Sequence, residues 1–533
     1  MFRWKYTRLK ALFRMQWGCD PRELPAAYMT RDRLKYIRMY HESYGDKGID
    51  EITWSDLEMD EVFLRINHTR SFAGEQVLYR QLHQPEVSDN LNQFEKLVSV
   101  FGHDEDGRMD YEYRLSRMGK AQEAYHIPDM LRIISEHEGS DIRIYRCLQL
   151  LLAGSVIGAL ITHAVIFGIC AIAVACVNIA INICKKSKQE GMFLSLLNMC
   201  VILRFCRFAE NNWPLEDESA LQQVREDLAQ LKRAERSAGS FAARKTAASN
   251  DPRNLLADYI WGVTLIDLVI YEKIMKLLAG KEEPALRLFH FAGMIDAAIS
   301  CASFRQSLDF WCTPDFSRDE VISFRGMYHP LLRGAVRNDE ELGKNTMITG
   351  ANASGKSTFM KGIVVNVILA QTIHTCAASE FTIPTMDVMS SMAIRDNVVL
   401  GESYYVRELR YMKRMLQRLE EKGPVLFIID EIMKGTNQKE SLAVSEAVLR
   451  YLKKRSCFVI AATHDYELVE KLDLAYERFY FDCRYEDGQI CFDYLIRPGF
   501  GGETNAVRLL KQFDFPEEIL ESTDQILRKE AVL

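Results

Sequence analysis

The segment Gly350-Ala351-Asn352-Ala353-Ser354-Gly355-Lys356-Ser357-Thr358 has the residue types and the spacing to hold phosphate. It follows a β-like run, Thr346-Met347-Ile348-Thr349, and precedes an apolar helical stretch from Phe359 to Ala370. A G-x-x-x-x-G-K-S loop between strand and helix is a P-loop. Gly350 and Gly355 let the backbone fold tightly, so that its N–H groups face phosphate oxygens. The helix N-terminus from Lys356 through Thr358 adds partial positive charge. Lys356 can reach the β- and γ-phosphates, and the Ser357 hydroxyl can ligate Mg²⁺. A second run, Val425-Leu426-Phe427-Ile428-Ile429-Asp430-Glu431, is an apolar strand that ends in two carboxylates. Asp430 is expected to hold the Mg²⁺ shell and Glu431 to polarise the attacking water. A third run, Phe458 to Ala462, ends in Thr463-His464. A lone histidine is usually structural. This one terminates the strand after the acidic one, at the sheet end where ligands bind, so it is expected to contact the γ-phosphate or the attacking water. Together these residues imply binding and hydrolysis of ATP with Mg²⁺. Glu431, His464 and Lys356 carry the chemistry, while Gly350, Gly355, Lys356, Ser357 and Thr358 surround the nucleotide.

The elements that must position these groups are legible from Val321 onward. Short β runs alternate with helices, the pattern of an α/β domain with a mostly parallel sheet. Before it the chain reads as helical. Residues 51 to 135 have amphipathic helical spacing. Residues 213 to 240 are highly charged, with Leu215, Leu221, Val224, Leu228 and Leu231 as an apolar stripe, and predict a long surface helix or a coiled-coil arm. A loop is expected around Ser249-Asn250-Asp251-Pro252.

The run from Cys147 to Cys184 carries no charge. An uncharged stretch of about 18 residues or more is long enough to span a bilayer. This run can hold two helices of about 19 residues, turning near Thr162 to Gly168. Arg143 and Arg146 precede it, and Lys185, Lys186 and Lys188 follow, so both ends are expected on the cytoplasmic side. The alternative is a buried helical hairpin in a large helical domain. A second apolar segment, Met192 to Val201, is too short to span. The thirteen cysteines are scattered without a C-x-x-C pair, the pattern of reduced thiols in a cytoplasmic protein. The net charge of −7 leaves no global footprint for nucleic acid, although residues 1 to 38 are locally basic.

The order of these motifs resembles the ATPase domain of the MutS DNA mismatch-repair family. Between the P-loop and the acidic strand stands Gly401-Glu402-Ser403-Tyr404-Tyr405-Val406-Arg407-Glu408. After the acidic strand come Ile432-Met433-Lys434-Gly435-Thr436, and then Ala462-Thr463-His464-Asp465. Asn352 matches the asparagine that the family carries inside its P-loop. Ser403 matches the signature serine, which in the family reaches across a dimer to the partner's γ-phosphate. His329-Pro330 matches the His-Pro that opens the family's domain. Residues 61 to 85 resemble the start of the family's lever domain, and residues 294 to 308 its end. The departures are Ala351 for proline, Ala353-Ser354 for Met-Gly, Glu402 for a basic or polar residue, and Asn437 for serine after Gly-Thr. The family's N-terminal domain, which inserts Phe-x-Glu at a mismatch, is expected to be missing.

The resemblance implies an ABC-type P-loop NTPase domain over 321–533, with C-terminal helices, including Pro516 to Lys529, that dimerise. An all-α lever-like domain over 51–146 and 185–320 is expected before it, interrupted by a transmembrane hairpin at 147–184 and preceded by a basic segment at 1–50. It implies a homodimer with composite ATP sites, Ser403 acting in trans. Two functions follow. One is an ATP-dependent DNA-binding switch for mismatched or branched DNA in repair. The other is a membrane-anchored P-loop ATPase that no longer reads mismatches and drives partner assembly. Either way, the expectation is a cytoplasmic ATPase anchored in the cytoplasmic membrane.

Overall fold

The computed structural model describes residues 2–25, 27–45, 48–85, 87–134, 142–248, 260, 262–351, 354–392, 404–421, 423–472, 475–486, 489–501, 510 and 515–530. The described helices are α1 Phe2–Gln16, α2 Ala27–Glu42, α3 Glu51–Asp56, α4 Met59–Ile66, α5 Phe72–His83, α6 Asp89–His103, α7 Glu105–Ser116, α8 Ile127–Ile133, α9 Ile142–Thr162, α10 Val165–Asn211, α11 Ser219–Ala248, α12 Ile266–Leu278, α13 Glu282–Gln306, α14 Lys356–Ile373, α15 Tyr404–Arg418, α16 Gln438–Lys453, α17 Tyr466–Lys471 and α18 Glu517–Glu530. The chain divides into two compact units that interleave in sequence. One takes 1–46, 66–80 and 96–304, and the other 47–65, 81–95 and 305–533.

The first unit is helical. Its core gathers large side chains from α2, α5 and α13, including Tyr40, Phe72 and Phe289. Each fully buried side chain of this size stabilises the fold by roughly 1.5–3 kcal/mol. Charge is also buried there. Glu75 on α5 accepts from Arg33 (3.0 Å), Lys120 (2.7 Å) and Asn67 (3.1 Å), and the Tyr125 hydroxyl also donates to it. Burial pushes its carboxyl up, but the Lys120 and Arg33 cations outweigh this and hold it at about 2. The opposite balance holds at Asp296 on α13. Burial raises its carboxyl to about 6 although it accepts from Ser71 Oγ (2.6 Å) and from the backbone N–H groups of Arg70 and Ser71 at the start of α5. Gly74 permits that approach, because a Cβ there would stand 2.3 Å from Asp296 Oδ2.

α9 and α10 form a tight hairpin. α9 stops at Thr162, His163 takes φ 51°, and α10 starts at Val165. Ile142–Thr162 and Val165–Lys185 are each 21 residues, long and apolar enough to cross a membrane, and only 6% and 11% of them is buried. Glu282–Gln306 is similarly apolar but 78% buried, as a core helix should be. The segment Met192 to Val201 is a later part of α10, which runs unbroken for 47 residues. Leu221, Val224, Leu228 and Leu231 are buried along α11, whereas Leu215 precedes the helix and is half-buried. The expected loop at Ser249 to Pro252 lies outside the described residues.

The second unit is built on a six-stranded sheet. Its strands are β4 Asn345–Gly350, β6 Asp387–Ser391, β7 Val425–Asp430, β8 Phe458–Ala462, β9 Glu477–Glu486 and β10 Gln489–Pro498, in the order β10-β9-β4-β8-β7-β6. Pairings from β9 to β6 are parallel, and β10 closes the edge antiparallel. β7 and β8 are continuous apolar runs because both sheet faces are covered. A four-stranded sheet, β1 Asp315–Phe316, β5 Glu380–Ile383, β2 Val321–Met327 and β3 Asn338–Gly343, lies earlier in the unit. The edge strand β6 is covered by α3. Ser390 N donates to Thr53 Oγ1 (3.0 Å), and Ser390 Oγ (2.7 Å) and Met392 N (3.0 Å) donate to Asp56 Oδ2. A covered edge cannot recruit a foreign strand.

α14 starts at the P-loop and is buried over nearly its whole length. At its far end Gln81 Nε2 donates to Thr372 O (2.8 Å). Arg305 donates to His374 O (2.9 Å) and Thr375 Oγ1 (2.8 Å), and pairs with Glu95.

Candidate nucleotide site

Sheet register brings the three motifs together at the carboxyl ends of three adjacent strands. Ile348 of β4 and Asp430 of β7 both lie beside Ala462 of β8. The loop after β4, the acid ending β7 and the His464 turn after β8 therefore leave the sheet side by side. Two backbone bonds fasten the exits, Thr463 N to Ile348 O and Glu431 N to Ala462 O, each 3.0 Å.

The P-loop is tight. Gly350 takes φ 147° and Gly355 φ 98°, values that L side chains rarely adopt. Lys356 is buried, and its Nζ donates to Gly350 O (2.6 Å) and Ala351 O (3.0 Å), folded back on its own loop. Burial pushes its pKa down, and Lys434 adds to this against the pull of Asp430. Ser354 Oγ is buried with no hydrogen-bond partner among the described residues. Ser357 Oγ donates to Asp430 Oδ2 at 2.5 Å. A hydroxyl and a carboxylate in contact at a phosphate-binding loop are the hard oxygen donors Mg²⁺ takes, so the residues fit that ion. Thr358 follows on the first turn of α14.

Glu431 takes φ 60° and Met433 φ 55°. Left-handed backbone at a non-glycine residue costs on the order of 1–3 kcal/mol and persists only where the surroundings impose it. The kink turns the Glu431 carboxylate toward His464, whose Nδ1 lies 3.0 Å from Glu431 Oε2, and Lys434 Nζ pairs with the same oxygen. Burial, then Lys434 and Lys356, push the His464 ring below the ordinary histidine range.

Two site residues escaped the sequence reading. Lys434 stands in the motif after the acidic strand, where its type and spacing alone give it no role. Glu408, almost fully buried, accepts from the backbone N–H groups of Lys434 (2.9 Å) and Gly435 (2.8 Å). It thereby holds the loop after the acidic strand from α15. Its place at the end of the Ser403 motif was the available signal. Asn437, where the resembled family has serine, caps α16 by accepting from Glu440 N (3.0 Å), a role either residue can fill. Asn352 and Ser403 lie outside the described residues.

A cavity of about 410 Å³ adjoins the P-loop, lined among others by Tyr328, His329, Arg333, Gly355, Phe359 and Tyr494. Tyr494 (φ 55°) sits on a bulge of β10. Buried Asn338 fixes that bulge through Tyr494 O (3.2 Å) and Ile496 N (2.8 Å). The tyrosine ring rests on the loop so closely that a Cβ on Gly355 would stand 2.8 Å from it.

Residues 346–530 match the family described as MutS domain V. The chain is 27% identical over 270 residues to a DNA mismatch repair protein MutS of Pseudothermotoga lettingae, covering 48% of this chain and 33% of that protein. It is 26% identical over 277 residues to MutS of Persephonella marina (50% and 31%), and 30% over 186 residues to MutS of Streptococcus sanguinis (34% and 22%). The chain thus spans about a third or less of the length of these relatives.

Proposed function

We propose that this chain, MutS-related through its domain V, binds Mg-ATP and hydrolyses it, and that the hydrolysis drives a DNA-binding switch. The observation that carries the ATPase reading is the convergence of Lys356, Ser357, Asp430, Glu431 and His464 at the carboxyl ends of adjacent strands. Lys356 exchanges the Gly350 and Ala351 carbonyls for phosphate oxygens. Ser357 and Asp430 would hold Mg²⁺, which supplies charge neutralisation at the phosphates. Glu431 accepts the proton of the attacking water, and His464, neutral at pH 7, hydrogen-bonds that water or the γ-phosphate. The adenine ring of ATP would lie in the cavity under Tyr494, beside Gly355. Lys356→Ala is expected to abolish nucleotide binding. Glu431→Ala is expected to keep binding while turnover falls by about 10²-fold or more. Wild-type turnover in Glu431→Ala would rule out this base.

The active form is a dimer with composite sites, Ser403 reaching the partner's γ-phosphate. Mixing Lys356→Ala with Ser403→Ala subunits should restore one intact site, and a strictly monomeric, fully active enzyme would sink this arrangement. The relatives are named for DNA mismatch repair, and this supports DNA as the partner. Gel binding to homoduplex, mismatched and branched DNA, with and without ATP and across salt, tests it. Salt-independent or absent binding to all three would exclude DNA.

A second reading, anchorage in the cytoplasmic membrane with the ATPase facing the cytoplasm, is favoured by the hairpin of α9 and α10, uncharged from Cys147 to Cys184 and left almost wholly uncovered by the protein. In that reading the ATP cycle drives partner assembly at the membrane.

A further inference from the structure

Gln149, Asn178 and Asn182 are amide side chains within an uncharged hairpin. Gln149 Nε2 donates to Thr264 O and Asn178 Nδ2 to Val263 O, both at 2.7 Å. Asn178 is fully buried and Asn182 nearly so. Asn182 Oδ1 would stand 3.6 Å from a Cβ on Gly262. The carbonyls they serve are released by a break in helix. Residues 262–264 are helical, Leu265 turns with φ 53°, and α12 begins at Ile266. Leu265 is buried with Tyr145 and Leu268, against Leu148 and Ile181 of the hairpin.

The depth of this contact is calculable. At 1.5 Å per residue, Gln149 and Asn178 each stand roughly 20 Å from the hairpin tip, inside a hydrocarbon layer of about 30 Å. Arg146 is one turn nearer the base of α9. Irregular backbone at such a depth is tolerated only where protein satisfies its polar groups. A bare carbonyl in hydrocarbon costs several kcal/mol. In water neither carbonyl would need an amide, because solvent serves it. Ile260 beside the break is exposed, and α12 carries Asp267, Glu272 and Lys273, too many charges to span.

We propose that residues 262–266 are a third membrane-embedded element, a re-entrant turn entering the cytoplasmic leaflet beside the hairpin, fastened there by Gln149 and Asn178 and facing acyl chains. The proposal rests on the hairpin being inserted in the membrane. The amides act as a clamp. Each donates an amide N–H to a backbone carbonyl at the break between residue 264 and α12.

A photo-cross-linking amino acid at Ile260 tests this in the full chain, reconstituted in phosphatidylethanolamine–phosphatidylglycerol vesicles doped with alkyne-tagged phosphatidylcholine. The same label at Leu160 reports on the hairpin, and at Lys281 on the aqueous side. The expected result is a lipid adduct at 260 comparable to that at 160, with none at 281. In a Gln149→Leu/Asn178→Leu variant the adduct at 160 should persist. The one at 260 should fall at least about tenfold, as the loss of two buried hydrogen bonds should produce. Labelling at 160 with only the 281 background at 260 overturns the re-entrant turn while leaving the hairpin in place. An undiminished adduct at 260 in the double variant overturns the clamp. Silence at 160 as well overturns the membrane reading and this proposal with it.

Discussion

His464 and Glu431 share a contact whose protonation decides what either can do. Burial and the two lysines, Lys434 and Lys356, disfavour a charged imidazole. In the nucleotide-free protein the His464 ring, followed by NMR, is expected to titrate below 6.5. Lys434→Ala removes a positive neighbour, so the protonated form gains and the midpoint should move up. A midpoint that stays put would show that Lys434 does not act on His464. Most residues at this scale were legible, because Lys356, Ser357, Asp430, Glu431 and His464 stand in contiguous motifs whose chemistry is written in their own types. Glu408 was not, because its function is to bind two backbone N–H groups far along the chain, and the donors a carboxylate accepts from leave no trace in spacing. Glu408→Ala should lower turnover without abolishing nucleotide binding, since it frees the loop behind Glu431 and leaves Lys356 untouched. Loss of binding in equilibrium titration would place Glu408 elsewhere in the mechanism.

Elements respond to their ends and their buried charges. Asn437→Ala removes the cap of α16 and should cost about 1 kcal/mol, read as a lower melting temperature of the second unit, whereas Asn437→Ser should be close to neutral. Glu75 ties α2, α5 and the segment around Lys120. Folded, its carboxyl is held at about 2, against about 4.3 in an unfolded chain. The unfolded state therefore binds the proton more tightly. Its contribution, on the order of 3 kcal/mol, is full above about pH 4.3 and disappears as pH falls toward 2. Glu75→Gln should lower stability at pH 7, by leaving Arg33 and Lys120 uncompensated, and flatten the acid limb of urea unfolding between about pH 4.3 and 2. An unchanged limb would mean that Glu75 does not carry it. Element types were readable from periodicity, but their extents were less so. α10 joins an apolar span to a buried core segment without interruption, and no local signal separates lipid-type from core-type apolar residues. That Thr53 and Asp56 would cover strand β6 was also invisible, because side-chain bonds across some 330 residues follow from the fold alone.

For the whole molecule, fractionation is the plain measurement. Wild-type protein should sediment with membranes and need detergent for release, and Leu160→Arg with Ile172→Arg should free it or prevent its accumulation. Wild-type protein in a high-speed supernatant would make the hairpin an ordinary packing element. Another consequence follows from α14. Eighteen helical residues make a rod of about 27 Å, with Lys356 at one end and the carbonyls of Thr372 and His374 at the other. Gln81, Glu95 and Arg305, which grip that far end, are also the residues at which the chain passes from one compact unit to the other at three of its crossings. Amide hydrogen exchange at Thr375 and Cys376 is therefore expected to slow when nucleotide binds at the opposite end, and unchanged exchange would show the rod to be slack. A packed helix yields little along its axis, so a shift of the phosphate loop on binding nucleotide would reach Thr372 and His374 as displacement, and the grip of Gln81 and Arg305 on those carbonyls would set how much of it is passed on.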